Sequence, residues 1–213
     1  MSDHLSVDVW SDVVCPFCYL GARQLAQAIE LFEHPVDVTH HAFELDPHAP
    51  ASVNETLEEL LATKYGMPVE RAQAINQRLA GQAKDAGLTF VFATVRPSNS
   101  FDAHRLIALA ASQGLADTMS TRLFRSYFSD GLLISDRETL STLADQVGVR
   151  GVHELWDSVA FVDDVRKDEV DAHALGITGV PAFLIDNRVM VSGAQGVDAL
   201  AQALREAWAT RGA

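Results

Sequence analysis

The stretch that decides the fold is residues 11–21, SDVVCPFCYLG, which holds both cysteines of the 213-residue chain. Cys15 and Cys18 stand three positions apart in the order CPFC. Residues 5–10 alternate apolar and polar side chains just before this stretch, which predicts a half-buried strand. Pro16 suits the first position of a helix, because its missing N–H has no partner there in any case. The sequence therefore predicts a CxxC pair at a strand-to-helix junction.

A CxxC pair at a helix start is suited to thiol–disulfide exchange. This chemistry needs a thiolate that attacks and a second thiol that resolves the mixed disulfide. The amino end of a helix favours negative charge, so we expect Cys15 to attack and Cys18, one turn further in, to be the more buried resolving thiol. Pro16 and Phe17 lie between the two cysteines and are expected to tune their reactivity.

Two other interpretations of the cysteines stay open, a zinc site and two inert core cysteines. A structural zinc site needs four ligands, and the chain has neither a second CxxC nor a pair of histidines at ligand spacing. Inert packing would not require a proline directly after Cys15. Because ligands for a zinc ion are missing, we expect no metal site, and we expect no bound prosthetic group.

A second informative stretch is residues 175–186, LGITGVPAFLID. Residues 182–185 and 188–191, joined by Asp186-Asn187, predict a β-hairpin. Pro181 precedes the hairpin directly, at a strand start where proline is tolerated. The sequence pattern does not determine the isomer of the Val180–Pro181 bond, because most X–Pro bonds are trans.

The remaining sequence divides by pattern into an α/β part and a helical part. Residues 36–43 are rich in β-branched and aromatic side chains and predict a second strand, so the chain opens as βαβ. Ser52 and Glu55 fit a capping box, which predicts a helix that continues to Gly66. Further helices are predicted over residues 68–86, 101–113, 115–128, 137–147 (capped by Asp136), 163–175 and along the apolar stripe from Val197 to Trp208.

This order of elements predicts an α/β domain with an insertion. We assign residues 1–50 and 151–213 to the α/β domain and residues 51–150 to an all-helical domain inserted into it. The extended residues 88–92, LTFVF, are expected to be a connecting stretch packed on the helical core.

The two quoted stretches together resemble the thioredoxin superfamily, and within it the DsbA-like branch, in which a helical domain interrupts the thioredoxin fold. Other segments are similar to the FrnE-like subfamily of cytoplasmic thiol-disulfide oxidoreductases. These segments are KYGM (64–67), AGLTF (86–90), NSFDAHRL (99–106), LFRSYF (123–128) and VSGAQ (191–195). The resemblance implies a thiol-disulfide oxidoreductase, or an isomerase of disulfides.

The resemblance also implies roles for residues outside the CPFC motif. It implies that Pro181 is cis and faces Cys15, with the backbone of Val180 contacting the substrate in the manner of a strand. It places Asn99 and His104 on the helical domain, facing the active-site groove, as candidate substrate-binding residues. The alternative is that Asn99 or Ser100 caps a helix and that His104 is a packed or solvated helical residue.

The chain departs from the family pattern at two points. Phe17 stands where members commonly have tryptophan, and Ala182 stands where an aromatic residue commonly follows the cis-proline. We expect these two differences to change redox potential and substrate preference. Some members also carry a second, distal cysteine pair, and the two cysteines of this chain exclude an internal disulfide relay.

Composition limits the partners and the location. The net charge of −13, from 16 Lys and Arg against 29 Asp and Glu, would repel phosphate backbones and anionic lipid. We expect no nucleic-acid or membrane partner and a cytoplasmic location, with a protein or small molecule bearing a thiol or disulfide as substrate. An external thiol reductant or oxidant would be needed for turnover, and both a monomer and a homodimer stay open.

Two further functions stay open. The related kappa-class glutathione transferases and hydroxychromene-carboxylate isomerases share the architecture but have serine at the position of Cys15, so a small-thiol-dependent transferase or isomerase of aromatic compounds is one alternative. The other is a binding or chaperone module for which the cysteines are incidental.

Overall fold

The computed structural model describes residues 3–211 of the chain. The elements run in the order β1 (Leu5–Ser11), α1 (Pro16–Glu30), β2 (Val36–Ala42), α2 (Leu57–Tyr65), α3 (Val69–Asp85), α4 (Phe101–Ala111), α5 (Ala116–Phe128), α6 (Arg137–Val147), α7 (Val152–Trp156), α8 (Val162–Ala174), β3 (Ala182–Ile185), β4 (Val189–Ser192) and α9 (Val197–Ala209), with a short 3₁₀ turn at Phe92–Thr94.

The contacts divide the chain into two compact units. One unit, the α/β unit, takes in the chain up to Leu45 and from Ala160 onward, and the other, the helical unit, is Asp46–Val159. Strands β1 to β4 lie in the α/β unit, whereas α2 to α7 make up the helical unit. The predicted fold class, an α/β fold interrupted by an all-helical segment, is confirmed.

Within the described residues, the strands of the α/β unit form one sheet in the order β2-β1-β3-β4. β1 runs parallel to β2, with Val7 opposite Val38, and antiparallel to β3, with Trp10 opposite Ala182. β3 and β4 form the predicted hairpin through Asp186 and Asn187, whose φ values of 51° and 55° fit a primed two-residue turn.

Apolar side chains on both faces of the sheet form the core of the α/β unit. On one face, Val7 and Val9 of β1 and Phe183 of β3 pack with Leu25 of α1 and Leu204 of α9. On the other face lie Trp10, Phe43, Ala182 and Leu184, against Ala172 of α8 and the nearby Ile177. Full burial of such a side chain contributes about 1.5–3 kcal/mol, so these two layers carry much of the stability of the unit.

The start of the first helix in the helical unit differs from the prediction. The capping box is formed by Thr56 and Glu59, not by Ser52 and Glu55, and α2 begins at Leu57. The Glu59 backbone N–H donates to Thr56 Oγ1 at 3.3 Å, and Glu59 Oε2 accepts the Thr56 N–H at 2.8 Å. The sequence repeats the S/T-x-x-E spacing four residues later, so the local signal fitted two starts equally well.

The remaining helices of this unit lie within one or two residues of the prediction, except for the short α7, which the sequence analysis missed. The predicted cap Asp136 accepts the Thr139 N–H at 2.9 Å. Residues 88–92 form no strand, as expected, and Phe90, Phe92 and Phe128 are in mutual ring contact.

A charged cluster in the α/β unit joins α8 to the sheet. The ring nitrogens of His41, on β2, lie 2.7 Å from Asp168 Oδ1 and 2.9 Å from Asp8 Oδ1. The ring stacks on Trp10, with centroids 4.5 Å apart, and Asp168 Oδ2 accepts the Ala42 N–H at 2.9 Å. Burial lowers the pKa of His41, but the hydrogen bonds and negative charges of Asp168 and Asp8 outweigh burial and raise it to about 9. His41 is therefore a cation between two carboxylates at neutral pH.

Replacing His41 should change how stability depends on pH. The folded-state pKa of about 9 lies above the ordinary value of 6.5, so the contribution of His41 is complete below pH 6.5, while the carboxylates stay ionised, and is lost as the pH rises through 9. We expect His41→Gln to lower the unfolding free energy at pH 6.5 by on the order of 3 kcal/mol and to flatten its fall between pH 6.5 and 9.5.

The measurement is urea unfolding at a series of pH values. His48→Gln, which changes an exposed histidine, is the control and should keep the wild-type pH dependence. An unchanged slope in His41→Gln would contradict the role of the cluster.

Candidate active site

Cys15 lies at the junction between β1 and α1. It is the N-cap residue of α1, with φ −93° and ψ 114°, and Pro16 is the first residue of the helix. The Cys15 carbonyl oxygen accepts the N–H of Cys18 at 3.0 Å and of Tyr19 at 3.3 Å, which closes the first turn. Extended backbone at Cys15 and helical backbone from Pro16 onward thus place the CPFC motif on the amino end of the helix.

Both cysteines are free thiols, and both are more buried than the two residues between them. The residue Cys15 is 4% exposed and Cys18 is 1% exposed, whereas the intervening Phe17 is 46% exposed. The Cys15 thiol donates to the Val180 carbonyl oxygen at 3.6 Å. The Cys18 sulfur accepts the backbone N–H of Asp12 at 3.4 Å.

The loop before β3 forms the other wall of the site. The Val180–Pro181 peptide bond is cis, and Pro181 is buried. The Pro181 carbonyl oxygen accepts the Gly193 N–H at 2.7 Å, which ties this loop to the end of β4. Cys15, Cys18, Pro16, Phe17, Val180 and Pro181, all named from the sequence, therefore belong to one site in the α/β unit.

Gly21 on α1 allows Pro181 to approach the helix. A Cβ atom at Gly21 would lie 2.9 Å from Pro181 Cγ and 3.1 Å from Phe183 Cζ, both closer than ordinary van der Waals contact. A glycine inside a helix is unfavourable by itself, so its position indicates close packing. Gly21 thus sets the separation between α1 and the Pro181 loop.

The pKa of Cys18 is raised well above its ordinary value. Burial is the largest cause, followed by the hydrogen bond and the charge of Cys15. The backbone N–H of Asp12 acts in the opposite direction, and the negative charge of Asp12 adds to the increase. Cys18 is therefore a protonated thiol at neutral pH.

Asn99 and His104 lie in the helical unit, and each is hydrogen-bonded to another residue of that unit. Asn99 Oδ1 accepts the Phe101 N–H at 2.8 Å at the start of α4, whose N-cap residue is Ser100. His104 is 3% exposed on the same helix, and its N–H donates to the Ser100 carbonyl oxygen at 3.0 Å. These contacts give Asn99 a capping function, and a substrate contact of either residue stays a prediction.

The sequence analysis missed two residues that shape the site, Asp12 and Gly21. Asp12 precedes the motif by three positions, and its acidic side chain next to a buried strand end was an available signal. Gly21 interrupts a helical pattern, which was the signal for close packing. What each residue contacts lies far away in sequence, and no local pattern gives that.

Between residues 3 and 211, no group of three or more His, Cys, Asp or Glu side chains is placed to hold a metal ion. Over the same residues, none of the helices combines the length and the apolar character that crossing a membrane requires.

The model of the DSBA-like thioredoxin domain matches residues 6–205. The chain belongs to the DSBA-like thioredoxin domain family. This family is one of thiol-disulfide oxidoreductases, which confirms the resemblance to the DsbA-like branch, and the FrnE-like subfamily stays a prediction.

Three members or neighbours of the DSBA-like family illustrate the range of similarity. A probable DsbA oxidoreductase from Streptomyces coelicolor is 36% identical, with a TM-score of 0.93 over 99% of this chain and 92% of its own. The uncharacterized protein YwbO of Bacillus subtilis is 27% identical over 94% of this chain and 96% of its own. The cytosolic disulfide reductase DsbM from Pseudomonas aeruginosa, 20% identical, has a TM-score of 0.66 over 96% of this chain and 98% of its own, which shows a shared fold.

Gly21→Ala should disturb the Pro181 loop. The added methyl group must displace the proline ring or Phe183, so we expect a loss of about 1–3 kcal/mol in the free energy of unfolding. Gly81→Ala is the matched control, because Gly81 lies on α3 with nothing within 4 Å of the added Cβ, and it should gain up to about 1 kcal/mol. Urea unfolding of the two variants measures both effects. Equal stabilities for the two variants would contradict the packing of Gly21 on Pro181.

Proposed function

We propose that this DSBA-like protein is a thiol-disulfide oxidoreductase that uses Cys15 and Cys18 as its redox pair. The observation that carries the proposal is the position of the Cys15 thiol, at the amino end of α1 and 3.6 Å from the Val180 carbonyl oxygen beside Pro181. A sulfur atom there faces the positive end of the helix dipole. The second thiol is one helical turn away on the same helix.

The proposed reaction proceeds by two thiol–disulfide exchanges. The Cys15 thiolate attacks one sulfur of a substrate disulfide, so that a Cys15–substrate disulfide forms and the other substrate sulfur leaves as a thiolate. Cys18 then attacks the Cys15 sulfur, which leaves a Cys15–Cys18 disulfide, and the proton of Cys18 passes to the departing second substrate thiolate, which is released as a thiol. Two electrons pass from the protein to the substrate, and the same steps in reverse oxidise a substrate dithiol.

The raised pKa of Cys18 gives the two thiols different tasks. A buried, protonated thiol is a poor nucleophile, so Cys18 does not compete with Cys15 for the substrate. Its proton must leave when the mixed disulfide is resolved, and formation of that disulfide removes the charge and the hydrogen bond of the Cys15 sulfur, two of the causes of the raised pKa.

The surroundings of the pair suit an apolar thiol or disulfide substrate. Val180 presents its backbone next to Cys15, where an extended peptide could pair with it as a strand does. Phe17 exposes an aromatic ring within the motif, which provides an apolar contact beside the reacting sulfur. Asn99 and His104 are proposed as additional substrate contacts from the helical unit.

We also propose an external redox partner and a cytoplasmic location for this protein. Regeneration of the dithiol needs an external reductant, and regeneration of the disulfide an external oxidant, either of thioredoxin type or a small thiol. We propose a cytoplasmic protein, as the Pseudomonas aeruginosa neighbour is by its name. The FrnE-like segments of the sequence support the same location.

Serine variants of the two cysteines test the proposal. Cys15→Ser should lose disulfide reductase turnover by at least about a hundredfold, because no nucleophile attacks the substrate. Cys18→Ser should release one thiol per chain from a reporter disulfide and then stop with the substrate bound to Cys15. A coupled assay with excess dithiol measures the turnover of Cys15→Ser, and mass spectrometry after a single exchange without added thiol measures the mixed disulfide of Cys18→Ser.

The same variants separate the other functions. Full dithiol-dependent activity in Cys15→Ser would rule out the proposed redox function. Sustained turnover of an aromatic substrate without a disulfide by Cys18→Ser, with an added small thiol, would indicate a transferase or isomerase. Suppression of client aggregation that is unaffected in the double variant would indicate a chaperone.

A further inference from the structure

Asp12 is a buried acid between β1 and the CPFC motif. It is 0% exposed, and an acidic side chain is stable in such a place only when its oxygens are hydrogen-bonded. Asp12 Oδ1 accepts the Val14 N–H at 3.2 Å, and Oδ2 accepts the Leu45 N–H at 2.7 Å. Val14 directly precedes Cys15, and Leu45 lies in the segment after β2. The side chain therefore fastens the loop that carries Cys15 to that segment.

The main chain of the same residue contacts both cysteines. The Asp12 carbonyl oxygen accepts the Cys15 N–H at 3.0 Å. The Asp12 N–H donates to the Cys18 sulfur at 3.4 Å. A movement of the Asp12 backbone would change both contacts at once.

We propose that Asp12 is the positioning residue of the dithiol. Its side chain, held between Val14 and Leu45, fixes the backbone groups that hold Cys15 and Cys18. The inference rests on the proposed redox function and adds to it the residue that places the two sulfur atoms.

Asp12 also acts on Cys18 by charge. Burial and Cys15 contribute most to the raised pKa of Cys18, and the negative charge of Asp12 raises it further, whereas the Asp12 N–H lowers it. Asp12 thus combines a hydrogen bond that favours a Cys18 thiolate with a charge that opposes it. Removing the charge and keeping the backbone should shift the ionisation of Cys18 to lower pH.

An aspartate is needed here because two N–H groups point at its two oxygens. Asparagine has one side-chain oxygen and one NH₂ group. In Asp12→Asn, either the Val14 N–H or the Leu45 N–H would therefore face this NH₂ group, which cannot accept a hydrogen bond. Asp12→Asn therefore keeps the shape of the side chain and loses one hydrogen bond and the charge. Glu44→Gln is the matched control, since Glu44 is a second buried acid of the α/β unit and pairs with Arg166 at 2.5 Å.

The first test compares these two variants. In Asp12→Asn we expect amide hydrogen exchange at Val14 or Leu45 to accelerate about tenfold. In the Cys15→Ser background, we expect alkylation of Cys18 to begin at lower pH, and in the intact pair disulfide reductase turnover to fall roughly ten- to a hundredfold. Glu44→Gln should leave all three close to the wild-type values.

Two results would overturn the inference. One is wild-type exchange at Val14 and Leu45 together with a wild-type alkylation profile in Asp12→Asn. The other is an equal change in all readouts in Glu44→Gln, which would make Asp12 one of several buried acids that only support the fold.

A measurement on the wild-type chain covers the case in which Asp12→Asn does not fold. The amide proton resonance of Asp12 should shift when the cysteines are oxidised, because the Cys18 sulfur changes as hydrogen-bond acceptor. An Asp12 resonance that does not respond to a disulfide shown by mass spectrometry would overturn the inference. If the cysteines form no disulfide at all, the proposed redox function fails, while the exchange and alkylation experiments still report on Asp12.

Discussion

The pairing of β1 with β3 is the interaction on which the site depends. These two strands are separated by most of the chain, yet Trp10 lies opposite Ala182 in an antiparallel register. Cys15 follows the end of β1, and Pro181 directly precedes β3. Because the two strands are antiparallel neighbours, this register brings the two loops together at the same end of the strands. The hydrophobic layers on both faces of the sheet hold the register, because a slip by one residue would turn every core side chain to the opposite face.

The chemistry of the site depends on contacts that are small in number and mostly to the backbone. The Cys15 thiol meets the Val180 carbonyl, the Cys18 sulfur meets the Asp12 N–H, and Gly21 lets the proline ring rest against α1. Such contacts tolerate little displacement. The cysteine pair accordingly lies between two rigid elements, the end of β1 and the first turn of α1.

Much of the fold followed from local sequence signals. The strand before the motif, the proline at the first helical position and the two-residue turn at Asp186-Asn187 each act over a few residues, and each structure is present as predicted. The error at Ser52 and Glu55 arose where two local signals compete, since the same spacing recurs at Thr56 and Glu59. Helix α7 has only five residues, too few to show a helical repeat in the sequence.

The parts of the site that the sequence analysis missed depend on distant partners. The function of Asp12 requires Leu45, and that of Gly21 requires Pro181, which lies 160 positions further along the chain. The contact of His41 with Asp168 is also distant in sequence, because Asp168 lies on α8, 127 positions further along the chain. Tertiary packing creates these contacts, and residue types near each position carry little information about them.

The proposed function requires Cys15 and Cys18 to cycle between dithiol and disulfide. Equilibrating the purified protein with thiol/disulfide buffers of defined potential, and counting free thiols at each potential, measures this cycle. We expect one reversible two-electron transition, between about −270 mV, as for thioredoxin, and about −120 mV, as for DsbA. Two free thiols per chain at every potential would contradict it.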